Sequence, residues 1–453
     1  MGWRRAATFL APLVALAAAQ SAQAASPVLV IEGAGDGHGV GMSQVGAEGL
    51  ALHGYSSSQI LSHYYTGTSL GHLVGGRFVT VLLQSGLRSV VISGASRAGS
   101  RPLNPSETYI LRAASGGRVM LASSRGRPLT RLAVPLKLSG PAPLTLGGGS
   151  LSGEVNGRYR GTFELTENAR RLDVINRIGL ESYLKGVVPA ESPASWPAAE
   201  LQAQAIAARS YALTSAPQHG FDLYGDTRSQ EYRGYNAETP GTDAAVSDTL
   251  GEVVTYGGKP VTTYYFASSG GETESVQDAF AGAAPEPYLT AVLDPFDATT
   301  FGPVTMSLHS AEHRLRGLVH GKLESIVVTK RGMSPRVVSA NVVGTRGTTS
   351  VSGDTLAAAL GLQSTWDCFS VTTSSAHLAA DWAHACARPT HVPASHPPAV
   401  PDVGGSIAPQ GATGTTSATG PTSATGPGGG AIEPSAPQPS TGSTVGGASA
   451  PSG

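Results

Sequence analysis

From Phe78 to about Glu167 the chain is written in short apolar runs broken by Gly and Pro. VTVLLQ, SVVISG, TYILRA, VMLAS, VPLKL and TFELT recur at regular spacing. Runs of this length, bounded by turn residues, predict strands. Residues 172–176 add another, and strand-like runs return at 251–256, 260–267, 325–329 and 336–343. The helical pattern is confined to a few places. Two short helices are expected over 43–53 and 57–65, the second capped by Ser56 or Ser57 and ended by Gly67. A third, over 181–187, should stop before Pro189. The strongest runs over 197–213, opened by Pro197. There Leu201, Ala205, Ala208 and Ala212 form one face, and Gln202, Ile206 and Arg209 a second stripe. That spacing points Arg209 away from the main buried face. A last short helix is expected over 351–361. These elements give an α+β fold, a strand-rich mixed core with a few short helices.

The ladder Gly33, Gly35, Gly37, Gly39, Gly41 must be a loop, since alternate glycines weaken both helix and strand. It fits no register of G-x-G-x-x-G, so it gives a dinucleotide site no support. At the start, Trp3-Arg4-Arg5, the apolar residues 6–19 and the small-x-small site Ala22-Gln23-Ala24 have the order of a secretory signal peptide over 1–24. The apolar run is shorter than the ~20 residues that span a bilayer. No later run approaches that length, so the exported chain is expected to be secreted, without a membrane span. From Arg388 to Gly453 the chain lacks Leu, Phe, Tyr, Trp, Met and Cys, and repeats Ser-Ala-Thr-Gly-Pro. That segment cannot bury enough apolar surface to offset chain entropy and reads as a disordered tail. The domains expected between are 25–70, a strand-rich region 71–165 and a core 166–387.

Charged residues make up 13% of the 453, with a formal net charge of −1, against about 25% in typical soluble domains. The balance argues against nucleic acid as a partner and excludes a long coiled coil. Cys368 and Cys386, in an exported chain, favour one disulfide. H-E-x-x-H, P-loop, G-x-S-x-G and C-x-x-C are all absent. What remains is one carboxylate, Glu191, bracketed by Pro189 and Pro193, together with small polar segments at 37–44, 229–232 and 268–274. A carboxyl walled by Val188 and Trp196 would have its pKa raised, as a general acid requires. The same residue can equally be a solvated group near a helix end.

Residues 175–213, INRIGLESYLKGVVPAESPASWPAAELQAQAIAARSYAL, resemble the signature of the SpoIID/LytB (stage II sporulation protein D) family. So do DTRSQEYRG at 226–234, YFASSGGETE at 265–274, Pro287-Tyr288-Leu289 and LGLQSTW at 360–366. Gly37-His-Gly-Val-Gly-Met-Ser-Gln44 is similar to a block that closes many members at their C-terminal end, so this chain looks like a permuted member whose 25–70 block docks on the core. The resemblance implies a peptidoglycan lytic transglycosylase, cutting the MurNAc–GlcNAc bond to leave 1,6-anhydro ends. It carries the catalytic acid onto Glu191, an active-site arginine onto Arg209 and a tyrosine onto Tyr288. Thr290 stands where the family often has Lys. Some members hold zinc, but the corresponding places here are Tyr224, Arg228 and Ser229, so no metal or other cofactor is expected.

In that reading Arg209 either pairs with a substrate carboxylate or steadies Glu191. Ser268, Ser269, Gly270 and Gly271 offer donors to sugar hydroxyls, or form a plain hairpin. Gln44 and Gln230 bond an N-acetyl group, or tie loops together. His38 contacts substrate with its loop, or holds that loop by hydrogen bonds. The partner implied is peptidoglycan glycan. A second reading is a non-catalytic glycan binder that activates a cell-wall amidase.

Overall fold

A computed structural model describes residues 26–373. The expected signal peptide, the tail from 388 and Cys386 lie outside the described residues. The fold is α+β and strand-rich. Two antiparallel sheets dominate the region after Phe78. One has seven strands, in the order Leu223–Tyr224, Phe78–Leu87, Arg171–Gly179, Thr162–Asn168, Leu136–Ser139, Arg97–Ala98, Arg101–Pro102, and only its first pairing is parallel. The other has six, in the order Pro128–Ala133, Arg118–Ser123, Thr108–Ala114, Ser89–Ser93, Leu144–Leu146, Arg158–Tyr159. Period-two alternation turns Val90, Ile92, Leu111, Val119 and Leu121 of the second sheet inward. They share a core with Leu138, Phe163, Leu165, Leu172 and Val174 of the first.

The same core runs on into the helices. α1 (Gln44–Leu52) is capped by the Ser43 hydroxyl, and α2 (Ser57–Tyr64) by a full capping box on Ser56 and Gln59. α3 (Leu180–Glu191) follows directly from the strand Arg171–Gly179. α4 (Ala198–Thr214) touches α1, α2, α3 and α5 (Pro240–Asp248). Its run of alanines lets these neighbours approach from all sides. The two-stripe expectation is therefore corrected: α4 is buried all round, and Arg209 is inside. A second correction concerns Pro189. α3 continues through it to Glu191: the ring removes one N–H and crowds the carbonyl one turn earlier, but Tyr183, Leu184, Val187 and Val188 pack into the main core and hold the last turn. The expected strand over 260–267 is also broken; only Lys259–Pro260 and Tyr265–Phe266 pair.

A second core gathers Leu29, Ile31, Leu315, Val342, Leu356 and their neighbours. The first strand, Val28–Ala34, lies between Thr300–Ser307 and Trp366–Thr372, antiparallel to both. The glycine ladder leaves this sheet and threads into the main core. It forms single bridges from Asp36 to Ser268, Gly37 to Ser364 and Val40 to Glu274, and Met42–Ser43 then pairs with Tyr265–Phe266. Gly35, Gly37, Gly39 and Gly41 all have positive φ. At Gly41 a Cβ would collide with the Tyr264 carbonyl, so close approach as well as backbone angle requires glycine.

Candidate functional site

Glu191 is the last residue of α3, where the helix has just passed Pro189. Its carboxylate is held from three other segments. Oε1 accepts the Glu231 backbone N–H at 2.9 Å. Oε2 lies 3.4 Å from Gln44 Nε2, the first side chain of α1. Tyr265 adds a further hydrogen bond. Burial raises the pKa of Glu191 from 4.5 to about 7, and the charge of Glu231 pushes the same way, while the donors from the Glu231 N–H, Gln44 and Tyr265 pull it down. Desolvation wins. The residue as a whole keeps partial exposure, while the carboxyl itself is crowded by protein.

Behind it runs a chain of buried donors. Tyr183 donates to Gln230 Oε1 at 3.1 Å; Gln230 Nε2 donates to the Tyr265 hydroxyl at 2.8 Å and to the Ala208 carbonyl at 3.3 Å. With its amide fully committed, Gln230 is a core tie for Tyr265. On the other side Gln44 Nε2 also lies 3.5 Å from Gln204 Oε1. Glu200, fully buried on α4, accepts the Ser192 hydroxyl at 2.8 Å, and burial raises its pKa to about 8. A neutral carboxyl there fixes the residue that follows Glu191.

The structure does not bring Arg209 to this site, which corrects the expectation of a substrate contact. The side chain has no exposure. All five of its N–H groups are used: a bidentate pair with Glu181 at 3.0 and 2.7 Å, and the carbonyls of Ala205, Glu252 and Val246. It locks α4 to the start of α3 and to α5.

Ser268 and Ser269 are likewise buried and committed. Ser268 Oγ bonds both oxygens of Asp297 at 2.8 and 2.9 Å. Ser269 gives its N–H to Asp297 at 2.5 Å and its hydroxyl to Asp294 at 2.9 Å. Ser43 and Tyr64, from the N-terminal block, donate to the same two carboxylates. Asp294 is raised to about 7 by burial and by the neighbouring Asp297 charge. Asp297 is also pushed up by burial, but the Thr299 N–H and the Ser268 and Ser43 hydroxyls outweigh this and hold it below its ordinary value. These serines are thus pins of the turn, a correction to their expected role as sugar donors. Gly270 is buried against Gly35, and Gly271 keeps partial exposure.

His38 accepts the Val40 N–H at Nδ1, so its proton sits on Nε2. Burial, then Arg336, lowers its pKa to about 3. Surrounded by Phe266, Phe280 and Tyr264, it is a neutral packing group of the glycine loop. Tyr288 is buried beside Tyr256, and its pKa is raised to about 12 by burial first and then Glu286. Cys368 is disulfide-bonded; its expected partner Cys386 lies outside the described residues. Among the described residues no group of three or more His, Cys, Asp or Glu is placed to hold a metal ion, and no helix is long and apolar enough to cross a membrane.

Reading from residues alone missed Tyr265, Glu200, Asp294 and Asp297. The last two carried a visible trace, the pair spaced by Pro295-Phe296, but nothing in that spacing says that both turn inward.

The fold and site define a strand-rich α+β protein with a crowded carboxyl of raised pKa, that of Glu191, at a helix end, completed by a side chain from the N-terminal block. Residues 168–256 match the family model described as Stage II sporulation protein, SpoIID. It is similar to the amidase enhancer of Bacillus subtilis, 38% identical over 124 residues, which are 27% of this chain and 17% of that one. Stage II sporulation protein D of Bacillus subtilis is 30% identical over 141 residues, covering 27% and 40%. An uncharacterised protein of Brachyspira hyodysenteriae is 39% identical over 123 residues, covering 26% and 33%. The chain therefore spans well under half the length of these curated relatives. The family match includes Glu191, Arg209 and Gln230 and stops before Tyr265.

Proposed function

We propose that the chain acts outside the membrane on the cell wall, as a lytic transglycosylase that cuts peptidoglycan glycan between MurNAc and GlcNAc. The observation that carries this reading is the Glu191 carboxyl: crowded enough to hold a proton near neutrality, on a residue that keeps partial exposure. Most glycosidases need two carboxyl groups, because one must direct water or attack the sugar. Transglycosylation needs only one. Protonated Glu191 gives its proton to the bridging oxygen as the glycosidic bond breaks. The carboxylate left behind takes the proton of the sugar's own 6-hydroxyl, whose oxygen closes the 1,6-anhydro ring. An intramolecular nucleophile has a large effective concentration. Oε2 has a long contact, 3.4 Å, to Gln44, and Oε1 accepts the Glu231 N–H. Those donors stabilise the carboxylate after transfer.

The test is digestion of purified, peptide-free glycan strands with mass-spectrometric detection of ends. Anhydro-ended products from the wild type and none from Glu191→Gln support the reading. Equal cutting by Glu191→Gln removes the assignment. The similarity to an amidase enhancer, with Arg209 and the serines of 268–269 withdrawn into the fold, favours a second reading, a glycan-binding activator of a wall amidase. Binding of the strands with no products, together with faster turnover by an added wall amidase, would establish that alternative.

A further inference from the structure

The net charge of −1 conceals a strong asymmetry. From Arg88 to Lys137 the chain has nine Lys or Arg against a single Asp or Glu. Eight of the nine are arginine. Among the described residues none of the nine takes part in an ion pair. A site used for internal stability would have placed carboxylates among them; this one leaves the charge to solvent.

The sheet register collects part of that charge on one surface. The inward residues of the six-stranded sheet are Val90, Ile92, Tyr109, Leu111, Val119 and Leu121, so the alternate positions face out. Arg112 pairs across from Met120, and Met120 from Arg131 on the next strand. Arg112 and Arg131 therefore flank one methionine, with backbones about 10 Å apart across two strand spacings. Arg118 lies two residues along, on the same face, opposite Ala114 and Ala133. The Arg112 guanidinium comes within 3.6 Å of where a Cβ on Gly126 would lie, over the turn that bears Arg125 and Arg127. All five arginines are exposed.

We propose that this outward face binds a linear, base-free phosphodiester polymer, of the polyol-phosphate class. The planar guanidinium fork matches phosphate oxygens pairwise, and several unpaired forks on one flat surface suit a chain of repeated anions. Nucleic acid is the poorer fit. The face presents Val91, Thr108, Ile110 and Met120 between its arginines and no ring on which bases would stack. Tyr235, at the Arg158 edge, is already covered by the guanidiniums of Arg158 and Arg160. The inference does not use Glu191 and stands whether or not the chain cuts glycan.

The experiment measures binding of the full chain to poly(glycerol phosphate) over a salt series. The variant is Arg112→Gln/Arg118→Gln/Arg131→Gln, whose glutamines keep most of the side-chain stem. A control with the same charge loss, Arg316→Gln/Lys322→Gln/Arg346→Gln, alters exposed sites on the other core. Expected are salt-sensitive binding by wild type and control, and at least tenfold weaker binding by the sheet variant. Its log–log salt slope should be shallower by about 2, for three lost phosphate contacts. Equal loss in both variants, or none in the sheet variant, overturns the assignment of the face. Binding to double-stranded DNA or to polygalacturonate as tight as to the polyol phosphate overturns the assignment of the ligand.

Discussion

Replacing Glu191 by Gln should abolish cutting and, at alkaline pH, stabilise the protein. The folded chain raises the carboxyl from 4.5 to about 7. Below 4.5 the group is protonated in folded and unfolded chains alike, and it favours folding fully. Between 4.5 and 7 the unfolded chain ionises first, so this contribution is lost; above 7 the fold carries the whole cost of a charge it solvates poorly. At about 1.4 kcal/mol per pH unit the cost reaches about 3 kcal/mol. Glutamine keeps the shape and cannot ionise. It can still accept the Glu231 N–H, but its amide then faces the Gln44 amide, which offsets about 1 kcal/mol. The net gain expected at pH 8 is thus about 2 kcal/mol, several degrees in Tm; it reaches zero near pH 5, by about 1.4 kcal/mol per unit, and becomes a loss of up to about 1 kcal/mol at lower pH. Calorimetry of both proteins across pH 4.5–8.5 measures it. A variant equally destabilised at every pH, or a difference independent of pH, refutes the claim that Glu191 is held protonated by burial.

Gln44→Met removes a donor to the Glu191 carboxylate, so the pKa should rise by up to about 1 and the alkaline limb of kcat/KM move to higher pH; a limb that moves down, or stays, separates Gln44 from the acid. Arg209→Met should cost about 3–5 kcal/mol in denaturant unfolding, because it strands Glu181 and buried carbonyls, while leaving KM for glycan unchanged; a raised KM in stably folded protein would return Arg209 to the substrate. Asp297→Ala should destabilise by more than about 2 kcal/mol, since Ser43, Ser268 and Ser269 all lose their acceptor; urea midpoints test it, and a neutral effect removes the pinning role.

The strands and the short helices were legible because turn residues and period-two or three-to-four spacing record local backbone preference. Residues 57–65 and 351–361 differ from the observed Ser57–Tyr64 and Gly353–Leu360 only at their ends. Pro189 misled because the stop rule weighs a lost hydrogen bond, whereas packing of Tyr183, Leu184, Val187 and Val188 into the main core holds the last turn in place. Glu191 was visible as an isolated acid between prolines. Its partners were not, because Gln44, Glu231 and Tyr265 come from segments far apart in the chain, and no periodicity records such a meeting. Arg209 erred for a related reason. The spacing gave two stripes on α4, but neighbours on every side leave the second stripe buried as well, and only the tertiary fold says that Glu181 waits there.

That dependence on distant segments makes chain order a testable variable. Ser43, Gln44 and Tyr64 supply the turn and the acid with partners, yet nothing in those contacts requires the block to come first. Val28 lies directly opposite Thr372 on antiparallel neighbours, so a short turn can run from the end of the last described strand into the start of the first. A new opening is available at residues 74–76, where Val74 is 93% exposed and a Cβ on either glycine would meet nothing within 4 Å. A permuted form of residues 26–373, opened there, closed by a short turn from 373 to 26, and carrying Cys368→Ser, should fold to the same secondary structure by circular dichroism. It should also keep the stability gain that Glu191→Gln brings at pH 8, because every contact to the carboxyl survives. A folded permutant in which that gain is absent would mean that the N-terminal block reaches the acid only when tethered from its own end, and that the hydrogen bond from Gln44 follows from connectivity and not from packing.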